Sequence, residues 1–405
     1  MTAALELANQ GFECFLIEKS DKLGGNVQRV HYTLDESNVS GFLEKTTQKV
    51  EQNELIHVYK SAEVKEVSGY IGNFTTKVSI EGEERILEHG VIIVATGGRE
   101  YRPLEYSYGE NERVITQLEL EEKLATGSLK VEELNNVVMI QCVGSRTGER
   151  PYCSKVCCSQ AVKNALKIKE INPFANIYIL YKDMRTYGFK EEFYQKARNL
   201  GVTFIRYTDE NKPEVTGDSG EIKVKVFDPV LSEHLLIKPD LVILSTGIVP
   251  NDDNDALAKL LKVPLNEDGF FLEAHVKLRP VDFATDGIFV AGLAHSPKPI
   301  EESISQALAA AGKAAIPLSK GSVSVEPIVS SVDEEKCIGC GLCESMCPFA
   351  AIRLISKNGV NKAETIPASC KGCGLCAASC PQQAITMGHF RSEELIAQIE
   401  ALVPA

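Results

Sequence analysis

The stretch that decides the fold is NVVMIQCVGSRTGERPYCSKVCCSQAVK, residues 136–163. It begins with a short apolar run, which is typical of a buried strand, and Cys142 lies where that run ends. An amphipathic helical pattern follows, and three more cysteines stand at its start: Cys153, Cys157 and Cys158. Because a crevice forms at the carboxyl end of a strand that is followed by a helix, we expect the four thiols to converge there.

The helical pattern gives these cysteines a chemical role. Residues four apart lie on one face of a helix, so the spacing predicts that Cys153 and Cys157 align. The exposed N–H groups and the dipole at a helix N-terminus favour thiolates. Another apolar run, at 177–180, completes a βαβ unit. In a dinucleotide-binding domain, the first turn of such a unit would carry the motif G-x-G-x-x-G. Gly144 and Gly148 are too sparse for that motif, so the sequence predicts sulfur ligands where a nicotinamide dinucleotide would lie.

The composition restricts the possible function classes. At 405 residues, with 44% hydrophobic residues, the chain is long enough for two or three domains with apolar cores. Its net charge of −13 argues against nucleic acid or an anionic membrane surface as a partner. No apolar run has the length of a membrane span and no secretory signal is present, so we expect a cytoplasmic protein without a membrane span.

The cysteines point to metal or redox chemistry. Thirteen cysteines would indicate disulfides in a small secreted protein, but all except one lie in three tight clusters of a large chain. Metal binding or redox chemistry explains such clustering better. The remaining one, Cys14, lies in an apolar run, where an unreactive buried thiol is the simpler expectation.

The first residues have the pattern of the second half of a Rossmann βαβ unit. Residues 1–10 have helical spacing, and residues 12–19 predict a strand that closes on Glu18, where a carboxylate can bind ribose hydroxyls. The turn DKLGGN at 21–26 follows, where the backbone can approach a ligand, although an ordinary turn has the same composition. The preceding strand and its G-x-G-x-x-G loop are missing. We therefore expect an N-terminal truncation and weak dinucleotide binding by the chain as it stands.

Further runs complete the expected order of elements. Helices are predicted at 42–56 and at about 301–316, and short strands at 58–67 and 73–80. Three apolar runs predict buried strands that end in small-residue turns: GVIIVATGG at 90–98, LVILSTGIVP at 241–250 and GIFVAG at 287–292.

Glu18 with the GG turn, followed by ATGG, STG and TDGIFVAG in this order, resembles the two-dinucleotide flavoprotein family that includes thioredoxin reductase. The resemblance implies an α/β fold with a discontinuous FAD domain and a second Rossmann-type domain inserted in it. The sequence departs from the family at Leu293, where an aspartate is usual, so contact with the ribityl or phosphate part of the flavin must differ there. By position, the resemblance assigns FAD binding to Glu18, Lys19, Gly24, Gly25, Asn26, Ala62, Glu63, Val64, Thr96, Gly97 and Gly292.

A narrower resemblance lies in QCVGSR, in YCSKVCC with a lysine five residues on, in GFKEEFYQKARNLGV and in AGLAHSPKPIEESISQA. These segments are similar to the A-subunits of heterodisulfide reductases, and the likeness spans nearly the whole chain. It implies FAD, several 4Fe-4S clusters and electron bifurcation, in which one electron goes to low-potential ferredoxin and one toward a higher-potential acceptor such as the CoM-S-S-CoB heterodisulfide. One cluster would be held by Cys142, Cys153, Cys157 and Cys158.

The same resemblance implies further roles and partners. Lys163 would approach the flavin ring and stabilise its reduced forms, whereas a solvated helix lysine is the alternative. His295 could face the flavin, but a surface histidine is the more common outcome. The implied partners are heterodisulfide reductase subunits of the B and C types, a donor subunit of the hydrogenase, formate dehydrogenase or NADH dehydrogenase type, and ferredoxin.

The strongest motif is C-x2-C-x2-C-x3-C-P, which occurs twice after residue 332. In two-cluster bacterial ferredoxins the fourth cysteine of each run ligates the other 4Fe-4S cluster. Zinc is the alternative, but Cys-Pro and the duplicated triple spacing have no use in a zinc ribbon. The first cluster would use Cys337, Cys340, Cys343 and Cys380, and the second Cys347, Cys370, Cys373 and Cys376.

These patterns divide the chain into domains. A polar segment rich in Ser and Val predicts a linker, and a terminal amphipathic helix at 392–403 is expected to dock on the ferredoxin module or on a partner. The expected parts are an FAD-binding domain at 1–110 and 233–318, a second Rossmann-like domain with the four-cysteine site at 111–232, a linker at 319–332, a ferredoxin domain at 333–388 and a C-terminal helix at 389–405.

Three functions are compatible with the sequence. The first is a bifurcating or confurcating flavoprotein subunit with three 4Fe-4S clusters. The second is an NAD(P)H-dependent disulfide reductase that uses Cys157 and Cys158 as its redox pair, but vicinal cysteines form strained disulfides and the glycine-rich nicotinamide loop is absent. The third is an iron-sulfur wiring module without turnover of its own. Binding of FAD by the purified chain would separate the third from the first.

Overall fold

The structure is a computed structural model of the chain and describes residues 1–217, 221–324, 327–357 and 359–402. The helices are α1 (Thr2–Asn9), α2 (Val39–Glu51), α3 (Gln117–Thr126), α4 (Cys157–Ile171), α5 (Glu191–Asn199), α6 (Asn254–Leu261), α7 (Ile300–Lys320), α8 (Leu342–Met346), α9 (Leu375–Ser379) and α10 (Ser392–Leu402). Strands β1 to β9 are Cys14–Ile17, Ile56–Tyr59, Ala62–Tyr70, Asn73–Ile80, Glu83–His89, Ile92–Val94, Arg99–Glu100, Val114–Thr116 and Asn136–Val143. Strands β10 to β21 are Asn176–Tyr181, Thr203–Arg206, Glu214–Gly217, Ile222–Asp228, Glu233–Ile237, Leu241–Thr246, Ile248–Val249, Ile288–Val290, Ser330–Val332, Ile352–Lys357, Val360–Thr365 and Ile385–Met387.

A five-stranded sheet in the order β11-β10-β9-β15-β8 forms the second domain, and all of its pairings are parallel. Strands β9 and β15 are buried almost throughout, as expected of continuous apolar runs in a parallel sheet. Helix α4 crosses one face, where Val162 and Ala165 pack among fully buried side chains. The sheet thus delivers Cys142, the penultimate residue of β9, to its carboxyl edge.

The second domain extends beyond the predicted range of 111–232. The sequence assigns residues 233–318 to the FAD-binding domain, but β14 pairs with β13, and β15 lies between β9 and β8. The run LVILSTG in β15 has the same character as VIIVATG in and after β6, with apolar residues followed by a small-residue turn. The two runs differ only in the strands with which they pair, and the local sequence does not indicate these partners.

The first domain contains two parallel strand pairs, β1 with β2 and β6 with β17. Helices α1 and α7 pack together above them, where Leu7, Phe289 and Ala311 share one buried cluster. The predicted strand at 58–67 is two strands, β2 and β3, because Ser61 has a left-handed φ of 49° that interrupts the extended backbone. The antiparallel pair of β7 with β16 then joins the first domain to the second.

The ferredoxin domain is built from β18 to β21 with α8 and α9. Strand β18 pairs with β21 and β19 pairs with β20, both antiparallel. The predicted linker at 319–332 is therefore shorter than expected. Helix α7 continues to Lys320, and Ser330–Val332, at the end of the predicted linker, forms a strand of the ferredoxin domain.

The terminal helix α10 forms as predicted, although residue 403 lies outside the described residues. Its expected docking on the ferredoxin module is absent from the described part of the chain, because the apolar face is exposed. The exposed fractions are 40% for Leu395, 53% for Ile396, 62% for Ile399 and 82% for Leu402. In the described ranges, no helix combines the length and apolar character needed to cross a membrane.

Candidate functional site

The four-cysteine site is formed by the end of β9, the loop after it and the first turn of α4. Cys142, Cys157 and Cys158 are buried, and Cys153 is half-buried. Helix α4 begins at Cys157, so the prediction that Cys153 and Cys157 share a helical face is wrong. Lys155 has a left-handed φ of 60°, which prevents the helix from extending back to Cys153.

The four thiols nevertheless lie near one another, because each influences the ionisation of its neighbours. Burial raises the pKa of Cys142 to about 11, and the adjacent Cys158 and Cys153 thiols add to that rise. A hydrogen bond with Cys158, together with burial, raises the pKa of Cys157. The same hydrogen bond lowers the pKa of Cys158. The end of the strand and the start of the helix therefore place the four thiols in one part of the domain, and a shared cluster stays a prediction.

Cationic groups surround these thiols. Arg146 donates to Asp183 at 2.6 Å, yet its Nη1 is buried without a hydrogen-bond partner among the described residues. The ammonium of Lys182, which is 8% exposed, donates to the Arg146 carbonyl at 2.8 Å. The hydroxyl of Ser145 is also buried without a partner in the described part of the chain. Unused donors and positive charge fit an anionic iron-sulfur cluster with four thiolate ligands.

The loop between Cys142 and Cys153 is held by Arg150. Its Nε donates to the Gly144 carbonyl at 2.8 Å, and its guanidinium lies 4.5 Å from the centre of the Tyr101 ring. The backbone N–H of Lys155 donates to the Cys153 Sγ at 3.3 Å. These contacts tie the loop to the end of β9 and to Tyr101.

Replacing Gly144 by alanine should destabilise the protein. Gly144 has a φ of +71°, and a Cβ there would lie 2.0 Å from a ring carbon of Tyr101. The left-handed backbone costs a residue with a Cβ roughly 1–2 kcal/mol. Displacing the ring adds roughly 1–3 kcal/mol. We expect a clear fall in the urea midpoint of unfolding.

The matched control is Gly148→Ala in the same loop. No atom lies within 4 Å of the Cβ position at Gly148, and its backbone is not left-handed. This variant should unfold like the parent chain. An equal fall of the urea midpoint in Gly144→Ala and Gly148→Ala would contradict the role assigned to Gly144.

Lys163 lies one and a half turns along α4 from the cysteines and is buried, so the alternative of a solvated lysine is wrong. Its ammonium is 2.7 Å from the carboxylate of Glu121, which is fully buried, and donates to the Tyr32 carbonyl at 2.6 Å. Burial lowers the pKa of Lys163, and the Glu121 carboxylate opposes that fall. The ion pair joins α3 and α4 to the Tyr32 segment of the first domain. An approach of Lys163 to a flavin stays a prediction.

The residues assigned to FAD by resemblance form two contact groups in the first domain. The side chain of Asn26 donates to the Gly98 carbonyl at 2.7 Å, which brings the GGN turn to the ATGG turn. The Ala62 backbone N–H donates to the Glu18 carbonyl at 2.9 Å. Gly98 also approaches Leu293, whose Cβ lies 3.5 Å from the position of an added Gly98 Cβ.

Part of this site has open backbone that suits a bound nucleotide. No atom lies within 4 Å of the Cβ positions at Gly25 and Gly97, so a ligand can approach their main chain. The Glu18 carboxylate accepts the Ser20 N–H at 2.8 Å. Lys19 is exposed and pairs with Asp253 at 2.8 Å, and Glu63 is exposed and pairs with Lys65 at 2.5 Å. Among the residues assigned to FAD, Lys19 and Glu63 therefore form surface ion pairs with other side chains.

A buried lysine, Lys298, lies beside Gly292, and no sequence pattern predicts it. The Lys298 ammonium donates to the carbonyls of Gly292 and Ser296, at 2.6 and 2.7 Å, and burial lowers its pKa to about 8. His295, expected at the surface, is half-buried, with its Nε2 3.5 Å from Glu273. The polar run AHSPKP gave no signal that its lysine would fold inward. Arg146 was missed too, although it stands in the QCVGSR segment.

The eight cysteines of the ferredoxin domain form two sets, and each set lines its own cavity. The described residues contain no three His, Cys, Asp or Glu side chains that converge on one metal ion. A ring of thiols around a cavity suits a cubane better than a single zinc ion, whose four ligands must meet at about 2.3 Å from one point. The sets are Cys337, Cys340, Cys343 and Cys380 around one cavity, and Cys347, Cys370, Cys373 and Cys376 around the other.

Backbone N–H groups point at the sulfur atoms in both sets. Ala351 donates to Cys347 and Ala384 to Cys380, both at 3.3 Å. Such bonds stabilise negative charge on cluster sulfur and raise the reduction potential. In each cavity the fourth cysteine of one run lies with the first three of the other run, which is the grouping expected of the two ligand sets.

Comparisons with known proteins agree with this architecture. The family described as the 4Fe-4S dicluster domain matches residues 330–387. Among solved structures, the thioredoxin reductase of T. acidophilum superimposes with a TM-score of 0.52 at 17% identity, covering 80% of this chain and 95% of that one. The bacillithiol disulfide reductase Bdr of Bacillus cereus gives 0.52 at 17% identity, covering 79% and 95%. Together, these two likenesses and the dicluster match confirm the predicted fold, an α/β flavoprotein-like core followed by a ferredoxin domain.

Curated relatives extend over nearly the whole chain. The iron-sulfur A-subunit 2 of the CoB–CoM heterodisulfide reductase of Methanopyrus kandleri is 36% identical over 98% of this chain and 75% of its own length. The A-subunit of the H2:CoB-CoM heterodisulfide, ferredoxin reductase of Methanothermobacter marburgensis is 34% identical over 98% and 74%. The predicted oxidoreductase class is thereby confirmed. The chain belongs to the family of heterodisulfide reductase A-subunits, as the four sequence segments that resemble these subunits imply.

Proposed function

We propose that this chain binds FAD and three 4Fe-4S clusters and divides electron pairs between ferredoxin and a disulfide or other high-potential acceptor. A bound flavin accepts electrons in pairs and can release them one at a time, which iron-sulfur clusters then conduct. The third cluster would be held by Cys142, Cys153, Cys157 and Cys158. The direction of electron flow depends on the potentials of the partners.

One observation carries the proposal: the four-cysteine loop contacts the first domain close to the predicted flavin turn. Lys155, two residues after Cys153, lies 3.8 Å from Glu302 in the first turn of α7, the helix that follows the Gly292 turn. The Ser154 hydroxyl accepts the Ile248 backbone N–H at 2.8 Å. Contacts of this kind support a short path between a flavin and a cluster in the second domain.

The chain's own residues would tune such a path. The free Nη1 of Arg146 and the Lys155 N–H bond to Cys153 stabilise negative charge on the cluster side. On the flavin side, the Lys298 ammonium lies against the Gly292 carbonyl, and a positive charge there favours an anionic reduced ring. Lys163 is assigned the same kind of role, through its position between α4 and the first domain.

The proposed partners follow from the names of relatives. The relative from Methanococcus maripaludis is the A-subunit of an H2/formate:CoB-CoM heterodisulfide, ferredoxin reductase. By analogy, we infer a complex with B- and C-type heterodisulfide reductase subunits, a donor subunit of the hydrogenase, formate dehydrogenase or NADH dehydrogenase type, and ferredoxin.

Anaerobic reconstitution with iron, sulfide and FAD tests the proposal. The chain should bind about one FAD and, at four per cubane, about twelve iron atoms. Reduced ferredoxin should then bleach the flavin absorbance, while NADPH alone should not. The Gly97→Val variant, which fills the open backbone at the predicted flavin turn, should lose FAD and keep its iron.

Two outcomes would contradict the proposal. Rapid bleaching by NADPH alone would favour a pyridine-nucleotide disulfide reductase. Failure of the parent chain to bind FAD while it holds the full iron content would leave iron-sulfur conduction as its activity.

A further inference from the structure

The ferredoxin domain is an internal repeat in which each residue of the first cysteine run has a counterpart 33 positions later, as Cys337 has in Cys370. The hydrogen bonds to sulfur obey the same relation. The Ala363 N–H donates to Cys337 at 3.4 Å, and the Ser330 N–H donates to Cys370 at 3.4 Å. Ser330 lies seven residues before the cysteine run that begins at Cys337, and Ala363 lies seven residues before the run that begins at Cys370. Each of them donates to the first cysteine of the other run. They are therefore equivalent positions with different side chains.

The difference is one hydroxyl group. The Ser330 Oγ lies 3.8 Å from the Cys370 Sγ and 2.9 Å from the Thr365 Oγ1, and Ser330 is only 5% exposed. A cysteine thiolate only accepts hydrogen bonds, and a bond to a charged acceptor is the stronger one. The proton of Ser330 is thus directed to sulfur, while Thr365 donates to the Ser330 oxygen. At the equivalent place Ala363 offers the first cysteine set a methyl group.

Charged neighbours differ between the two sets. On the side of the first set, Lys362 donates to the Cys337 carbonyl at 2.6 Å, and in the described part of the chain it has no carboxylate partner. On the side of the second set, Lys371 lines the cavity, but its charge is paired with Asp286 of the first domain. The unpaired charge of Lys362 favours reduction of the first cluster, so it opposes the effect of the hydroxyl on the difference between the two potentials. Burial acts in the same direction as the hydroxyl, because Cys343 of the first set is buried and its counterpart Cys376 is half-buried.

We propose that Ser330 raises the reduction potential of the cluster of Cys347, Cys370, Cys373 and Cys376, through its hydroxyl bond to Cys370. A hydrogen bond to sulfur stabilises the extra electron of the reduced cluster. The ion pair of Lys371 with Asp286 ties this part of the ferredoxin domain to the first domain. Ser330 therefore favours an electron on the side that faces the flavoprotein core. The consequence for electron flow rests on the proposed function, whereas the rise in potential requires only the dicluster domain.

Redox titration of the reconstituted full chain, followed by electron paramagnetic resonance, tests this proposal. The Ser330→Ala variant keeps the backbone N–H bond and loses the hydroxyl. One reduction midpoint potential of the ferredoxin domain should fall, and the other should stay unchanged. The Ser330→Thr variant, which retains a hydroxyl, should restore the parent value.

The matched variant Ala363→Ser places a hydroxyl at the equivalent position. It should raise the midpoint potential of the other cluster. If Ser330→Ala bound the full iron content and both reduction midpoint potentials of the ferredoxin domain were unchanged, the proposal would be overturned. If Ser330→Ala loses iron, an unchanged midpoint in Ala363→Ser would overturn it instead. Failure to bind FAD would not affect either result, because the midpoints are measured on the clusters.

Discussion

Replacing both Cys157 and Cys158 by alanine should lower the iron content from about twelve to about eight atoms per chain, since one of three cubanes is lost. These residues supply two of the four thiols of the proposed third site and occupy the first turn of α4. A cubane with two protein ligands missing has no adequate anchor. Iron and acid-labile sulfide determined after anaerobic reconstitution provide the measurement.

The control for this experiment is Cys14→Ala. Cys14 is half-buried in the first domain, where its thiol donates to the carbonyls of Ala4 and Phe12. It lies outside all three cysteine clusters. Its removal should leave the iron content unchanged. A parent chain that binds only about eight iron atoms would show that the third site holds no cubane.

Replacing Glu121 by leucine should destabilise the chain by roughly 3–5 kcal/mol, the usual loss when one partner of a buried ion pair is removed. The Lys163 ammonium would lose its counterion in a place where the side chain is 8% exposed. The backbone N–H of His31, which donates to Glu121 at 2.7 Å, would lose its acceptor as well. A large fall in the urea midpoint, followed by circular dichroism, is the expected observation.

Two further variants separate this effect from general damage. Glu170→Leu removes a carboxylate from α4 that pairs with Lys167 at the surface, with exposed fractions of 60% and 40%. An exposed pair of this kind contributes roughly 0–1 kcal/mol. The double variant Glu121→Leu with Lys163→Leu removes both buried charges and should recover much of the stability. If Glu121→Leu and Glu170→Leu lowered the free energy of unfolding equally, burial of the Glu121–Lys163 pair would have no energetic role.

Local signals in the sequence are sufficient to predict several parts of the molecule. Three cysteines from one short loop can supply three corners of a cubane, so the two sets of thiols that line the ferredoxin cavities were predictable from spacing alone. The order of strands and helices in the core followed from apolar runs and small-residue turns. The position of the four other cysteines, at the end of β9, in the next loop and at the start of α4, followed from the same patterns, although the start of α4 was placed too early. Their binding of one cluster stays a prediction.

Tertiary structure decided what depends on residues far apart in the chain. Nothing near β15 shows that it pairs with β8 and β9, and nothing near Lys163 shows that Glu121 and Tyr32 enclose it. The bond from Ser330 to Cys370 crosses from one repeat to the other. Local periodicity reports which face of an element is buried, but not what covers it, because the partner is selected by the packing of the whole chain.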